Sequence, residues 1–148
     1  MLATTQQLAE LIEAKHACLV ELRDLSRQQA TLIESGDLTE LLRMFAGKQR
    51  LIEQLHAVER GFDPYRQQDP DRRVWRTAGE RERCAALLGQ AQALFDEVLD
   101  QERENEANLK LRRDEVAAKL QMLQSASEAR QAYADCSEFG TAGLDLAS

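Results

Sequence analysis

From Thr4 onward, apolar side chains return at intervals of three and four. Leu8, Leu11, Ile12, Cys18, Leu19, Leu22, Leu25, Leu32 and Ile33 fall on one stripe, interrupted by Lys15 and Gln29. That period marks an amphipathic helix with one face turned to a core. Thr4 and Gln7 have the spacing of a capping box, so the pattern predicts a first helix over 4–34. Ser35-Gly36-Asp37 ends it, because glycine accepts the left-handed conformation that closes a helix, and Asp37 with Glu40 is a start signal for the next. A second stripe of Leu38, Leu41, Leu42, Phe45, Ile52, Leu55 and Val58 predicts a helix over 37–61 that tolerates Gly47. So short a turn makes the pair antiparallel.

Asp63-Pro64-Tyr65 to Asp69-Pro70 reads as a loop. Asp69 before Pro70 predicts the start of a third helix. Val74, Trp75 and Ala78 form its first short piece, Gly79 is a candidate break, and Cys84, Leu87, Leu88, Ala91, Leu94, Phe95, Val98 and Leu99 resume the stripe. Asp100 to Asn108 holds no large apolar side chain, yet its helix propensity stays good, and Asn105 or Asn108 turned inward would fix the register of the seam. Leu109, Val116, Leu120 and Leu123 then restore a thinner stripe, with Leu111 and Met122 beside it. Past Arg130 there is no basic residue, and Gly140 and Gly143 dilute the pattern, so a flexible acidic tail is expected over 133–148. That tail still holds Tyr133, Phe139, Leu144 and Leu146.

The expected architecture is all-α: an antiparallel three-helix bundle or helical hairpin within 1–132, its third helix spanning 70–132. At 1.5 Å per residue the first two helices would measure roughly 35 to 45 Å and an unbroken helix over 80–132 roughly 80 Å. The third helix is thus expected to overhang the hairpin. Leu109, Val116, Leu120 and Leu123 would then need a partner chain or a folded-back tail to cover them.

Composition agrees with this pattern. Aromatic residues make up 5% of the chain and proline occurs twice, while Leu, Ala, Glu, Gln and Arg dominate. The 148 residues suit one domain, and the net charge of −7 works against general affinity for nucleic acid or anionic membrane. No apolar run approaches the ~20 residues of a membrane span, and Met1 to Glu10 lack the basic start of a secretory signal. The expected location is therefore the cytoplasm, with Cys18, Cys84 and Cys136 as free thiols.

Candidate chemistry is sparse. Glu13-x-x-His16 and Glu53-x-x-His56 have the spacing used by di-iron carboxylate bundles, and the two histidines lie 20 residues to either side of Gly36. The stripes place Glu13, His16 and Glu53 on outer faces and His56 at the margin of the seam, and a dimetal site needs carboxylates from two further helices. Solvated surface pairs are the better reading, so no metal or cofactor is expected. His16-x-Cys18 offers too few ligands for zinc, pointing about 200° apart. No Gly-rich phosphate loop, GxSxG elbow or CxxC pair is present, and the chain is expected not to be an enzyme. Arg72, Arg73, Arg76, Arg81 and Arg83 surround Trp75 but are interleaved with Asp69, Asp71, Glu80 and Glu82. That balance leaves little field for nucleic acid, and Trp75 reads as a core cap over the loop.

Two segments carry a family resemblance. After the first turn, GDLTELLRMFAGKQRLIEQL (Gly36 to Leu55) resembles the Gly-Asp, Leu, Leu, Lys, apolar pattern of the FlgN-type flagellar export chaperones. In the third helix ENEANLKLRRDEVAAKLQML (Glu104 to Leu123) is similar to that family's Asn, leucines and second apolar stripe, and Tyr133 with the Gly-containing tail also fits. The Trp75 segment departs from the family pattern. The resemblance implies a cytoplasmic chaperone that binds hook-filament junction (hook-associated) proteins, prevents their premature assembly and delivers them to the flagellar type III export apparatus. It implies that the C-terminal helical region captures an amphipathic terminal helix of the substrate, which by position means Leu109, Val116, Leu120 and Leu123, with Tyr133 and Phe139 in the tail. The competing expectation is a coiled-coil adaptor unrelated to flagella, and an uncovered stripe of this length would permit a homodimer.

Overall fold

The computed structural model describes residues 4–147, with side chains through residue 136. The chain is all-α, as expected. Helix α1 spans Thr5–Ser35, α2 Leu38–Gly61, the single turn α3 Asp63–Arg66 and α4 Ala78–Ala147, with one 3₁₀ turn at Pro70–Arg72. Contacts divide the chain into two compact units, Met1–Ala107 and Asn108–Ser148.

Local chemistry sets the helix ends in the first unit. Thr4 accepts from the Gln7 backbone while the Gln7 side chain accepts from Thr4, completing the capping box. Gly36 sits at φ 74° and donates to the Leu32 carbonyl, a left-handed cap that a Cβ would strain. Asp37 then caps α2 by accepting from the Glu40 backbone.

Side-chain pairs give the direction of packing. Lys15 meets Glu59 and Gln29 meets Lys48, so α1 and α2 run antiparallel. Glu13 meets Arg83 and Arg27 meets Glu97, so the first part of α4 runs parallel to α1. Leu19 and Leu22 from α1, Leu51 from α2 and Ala91, Leu94 and Val98 from α4 form one core. A second cluster of Leu8, Ile12, Tyr65 and Cys84 joins α3 to the bundle, with Phe62 and Trp75 packed against it. Trp75 thus lies against the core at the interhelical loop, where the apolar pattern placed it.

The start of α4 differs from the sequence reading. Asp69 does cap, accepting from the Asp71 backbone, but only a 3₁₀ turn follows and Val74 and Trp75 are not helical. The effective start is Thr77, whose hydroxyl accepts from the Glu80 backbone at 3.1 Å. Gly79 is therefore the second residue of α4 and not a break within it, which removes most of its cost. The segment between is pinned elsewhere: Thr5 Oγ1 donates to the Val74 carbonyl at 2.8 Å and Arg76 donates to Gln6 at 2.7 Å.

Beyond the apolar core lies a polar layer. Ser26, Gln29 and Asn105 are buried. Ser26 donates to Glu102 at 2.7 Å, Lys48 reaches both Gln29 and Glu102, and Asn105 donates to the Ser26 carbonyl at 2.8 Å while accepting from Gln101 at 3.0 Å. Gln29 therefore faces the interior, where the sequence pattern showed only an interruption. Each group has a partner, which is what makes such a layer tolerable and favours one register over its neighbours. Asn105→Ala is expected to cost about 1–3 kcal/mol in urea unfolding, because it strands buried hydrogen-bonding groups. A loss below about 0.5 kcal/mol, the usual limit for surface substitutions, would mean the layer contributes nothing to stability.

Candidate functional site

The candidate metal pairs do not converge. Glu13 is exposed and engaged by Arg83 at 2.8 Å, and Glu53 and His56 are exposed. Among the described residues no group of three His, Cys, Asp or Glu side chains is placed to hold a metal ion. All three cysteines are free thiols. Burial pushes the Cys84 thiol up, helped by the Glu80 and Glu13 carboxylates and opposed by Arg83; burial and then Glu21 do the same to Cys18. Both environments disfavour the thiolate, the opposite of an activated nucleophile.

The arginines around Trp75 are mostly engaged within the protein. Arg83 pairs with Glu13, Arg76 bonds Gln6, Arg72 lies 3.7 Å from Asp69 and Arg73 donates to the Tyr65 carbonyl. The Tyr65 hydroxyl donates to the Thr4 carbonyl, and burial raises its pKa, with Arg73 pulling it back and Glu10 adding to the rise.

The second unit presents a different surface. Val116 is 56% exposed, Leu120 61% and Leu123 67%, while Leu109 is half-buried. Helical geometry puts these four within roughly 60° of one another, one narrow stripe. The sequence therefore identified residues that share a face. Tyr133, 84% exposed, does not belong with them. It falls roughly 80° to 140° from the leucines, on the side of Leu111 and Met122. The Phe139 side chain, with those of Leu144 and Leu146, lies outside the described residues.

Charge is distributed unevenly around this stripe. Arg112, Arg113, Lys119 and Arg130 all lie within roughly 80° of its centre, whereas Asp114, Glu115 and Glu128 lie roughly 100° or more away. Arg112 bonds Glu115 at 3.3 Å and Arg113 bonds Asp114 at 3.5 Å, ion pairs along or beside the helix turn that leave the leucines uncovered. In a chain of net charge −7, this face is apolar with basic edges. The basic edging was legible in the sequence, but only once the stripe's exact phase was fixed.

Comparison of the chain with protein-family models, curated proteins and solved structures gave no match. Among the described residues no helix is long and apolar enough to cross a membrane.

Proposed function

We propose that this chain is a cytoplasmic export chaperone, which binds hook-filament junction proteins, keeps them from assembling early and delivers them to the flagellar type III apparatus. The observation that carries the reading is the exposure of Val116, Leu120 and Leu123 on one helical face. Large apolar side chains left in water along one stripe mark a surface that another molecule covers. An amphipathic helix laid along it, with its own leucines between these, would bury both faces without a preformed pocket. The basic edges select among such helices: Arg112, Arg113, Lys119 and Arg130 favour a substrate helix whose apolar face is bordered by carboxylates.

The sequence resemblance in Gly36–Leu55 and Glu104–Leu123 supplies the flagellar setting, and the second segment contains the stripe. No catalytic group is required of this protein: binding and release of an unassembled subunit need only reversible apolar burial. The purified chain mixed with a hook-filament junction protein from the same organism is expected to form a complex on size-exclusion chromatography. It should also delay self-assembly of that protein, measured by light scattering. Unchanged assembly kinetics with no complex would remove the chaperone reading.

A further inference from the structure

The surface of the first unit is indented at the loop between α2 and α4. A cleft of about 390 Å³ has an apolar floor that includes Leu8, Ile12, Phe62 and Trp75. Lys15, Arg66, Arg73 and Arg81 line it against the single carboxylate of Glu59. Glu59 is already shared by Lys15 at 2.8 Å and Arg66 at 3.4 Å, and Arg66 also holds Asp63. Arg73 and Arg81 are left over. The Arg73 guanidinium donates from Nη2 to the Tyr65 carbonyl, while its Nε is buried with no acceptor. The Arg81 side chain has no partner among the described residues.

Arg73 also lines a neighbouring cleft of about 490 Å³ with Thr4, Gln68, Asp69 and Val74. Arg73 is the lining residue common to the two clefts. The guanidinium groups of Arg73 and Arg81 line this apolar cleft, and a carboxylate is the acceptor that suits a guanidinium best. The apolar floor asks for a large side chain beside that carboxylate.

We propose that this cleft binds an acidic peptide segment of a partner protein, seating a leucine or phenylalanine against Phe62 and Trp75 and a neighbouring carboxylate on Arg73 and Arg81. The site shares no residue with the Leu109–Leu123 stripe and does not depend on its role. Trp75 is the sole tryptophan of the chain, so its fluorescence reports occupancy directly. The probe is a capped synthetic peptide of sequence Asp-Leu-Glu-Phe-Asp-Leu, titrated into the full chain. Controls are the same peptide with lysine at each acidic position, and inorganic phosphate alone.

The expected result is a saturable change in Trp75 emission with the acidic peptide, weakened by salt and absent with the lysine peptide. Arg81→Glu should weaken it at least tenfold. Arg81 is exposed in the first turns of α4, where glutamate suits the helix dipole, so circular dichroism should be unchanged. Arg73→Gln should weaken it similarly. No saturable change, an equal response to the lysine peptide, the same response to phosphate alone, or unaltered affinity in folded Arg81→Glu would each overturn the proposal.

Discussion

Leu19→Ala is expected to destabilise the first unit by about 3 to 4 kcal/mol, within the ~2–5 kcal/mol range for large-to-small changes in a packed core. Leu19 is 1% exposed and belongs to the core that α1 forms with Leu51 of α2 and Ala91, Leu94 and Val98 of α4. Removing it forfeits transfer free energy and leaves a cavity that three rigid helices cannot close. Alanine slightly improves helix propensity, an offset of a few tenths of a kcal/mol at most. Small domains have only about 5–15 kcal/mol of stability, so the variant should melt at least roughly 10 °C lower. Leu42→Ala is the control: that leucine is 66% exposed, and its loss should cost under about 0.5 kcal/mol. Equal effects of the two substitutions in thermal unfolding would contradict the assignment of the core.

Leu120→Ala combined with Leu123→Ala should have the opposite profile, little change in folding and a large loss of partner binding. Both leucines are more than half exposed, and alanine is the better helix former, so helicity should hold or rise. On a partner, each leucine would bury an apolar side chain worth ~1.5–3 kcal/mol when fully covered. Truncation keeps the β-carbon, so about 1–2 kcal/mol is lost per site, and each 1.4 kcal/mol is about tenfold in affinity. The double variant should therefore bind a hook-filament junction protein roughly tenfold to several hundredfold more weakly in calorimetric titration. Unchanged affinity with retained helicity would mean that another face makes the contact. Replacing Lys119 and Arg130 by glutamate would act more weakly and mainly at low salt, since rim charges change association more than affinity.

The hydrophobic period made most of this fold legible. It placed α1 and α2 to within about a residue of their observed ends, because Thr4–Gln7, Gly36 and Asp37–Glu40 are strong local signals that tertiary packing had no reason to overrule. It misplaced the start of α4. Asp69-Pro70 and Thr77-x-x-Glu80 are both valid start signals, and only the docking of Val74 against Thr5 and of Trp75 against the core decides between them. The polar layer was half legible: Asn105 was a candidate for an inward position and Gln29 an interruption of the apolar stripe, but the pattern did not single out Ser26, which Glu102 and Asn105 reach only in the folded chain. The cleft beside Trp75 was not legible. The arginines there alternate with acids in sequence, and only folding reveals which acids are spent on other partners and which guanidinia are left over.

On the function proposed above, the stripe around Leu120 and Leu123 recognises a flagellar export substrate. The direct measurement is affinity capture from native cell extract with the intact chain and with Leu120→Ala/Leu123→Ala, followed by mass spectrometry. The predicted result is a hook-filament junction protein retained by the intact chain and lost from the variant. Retention of that protein by both would contradict the site, and its absence from both would replace the chaperone with a helical adaptor unconnected to flagella.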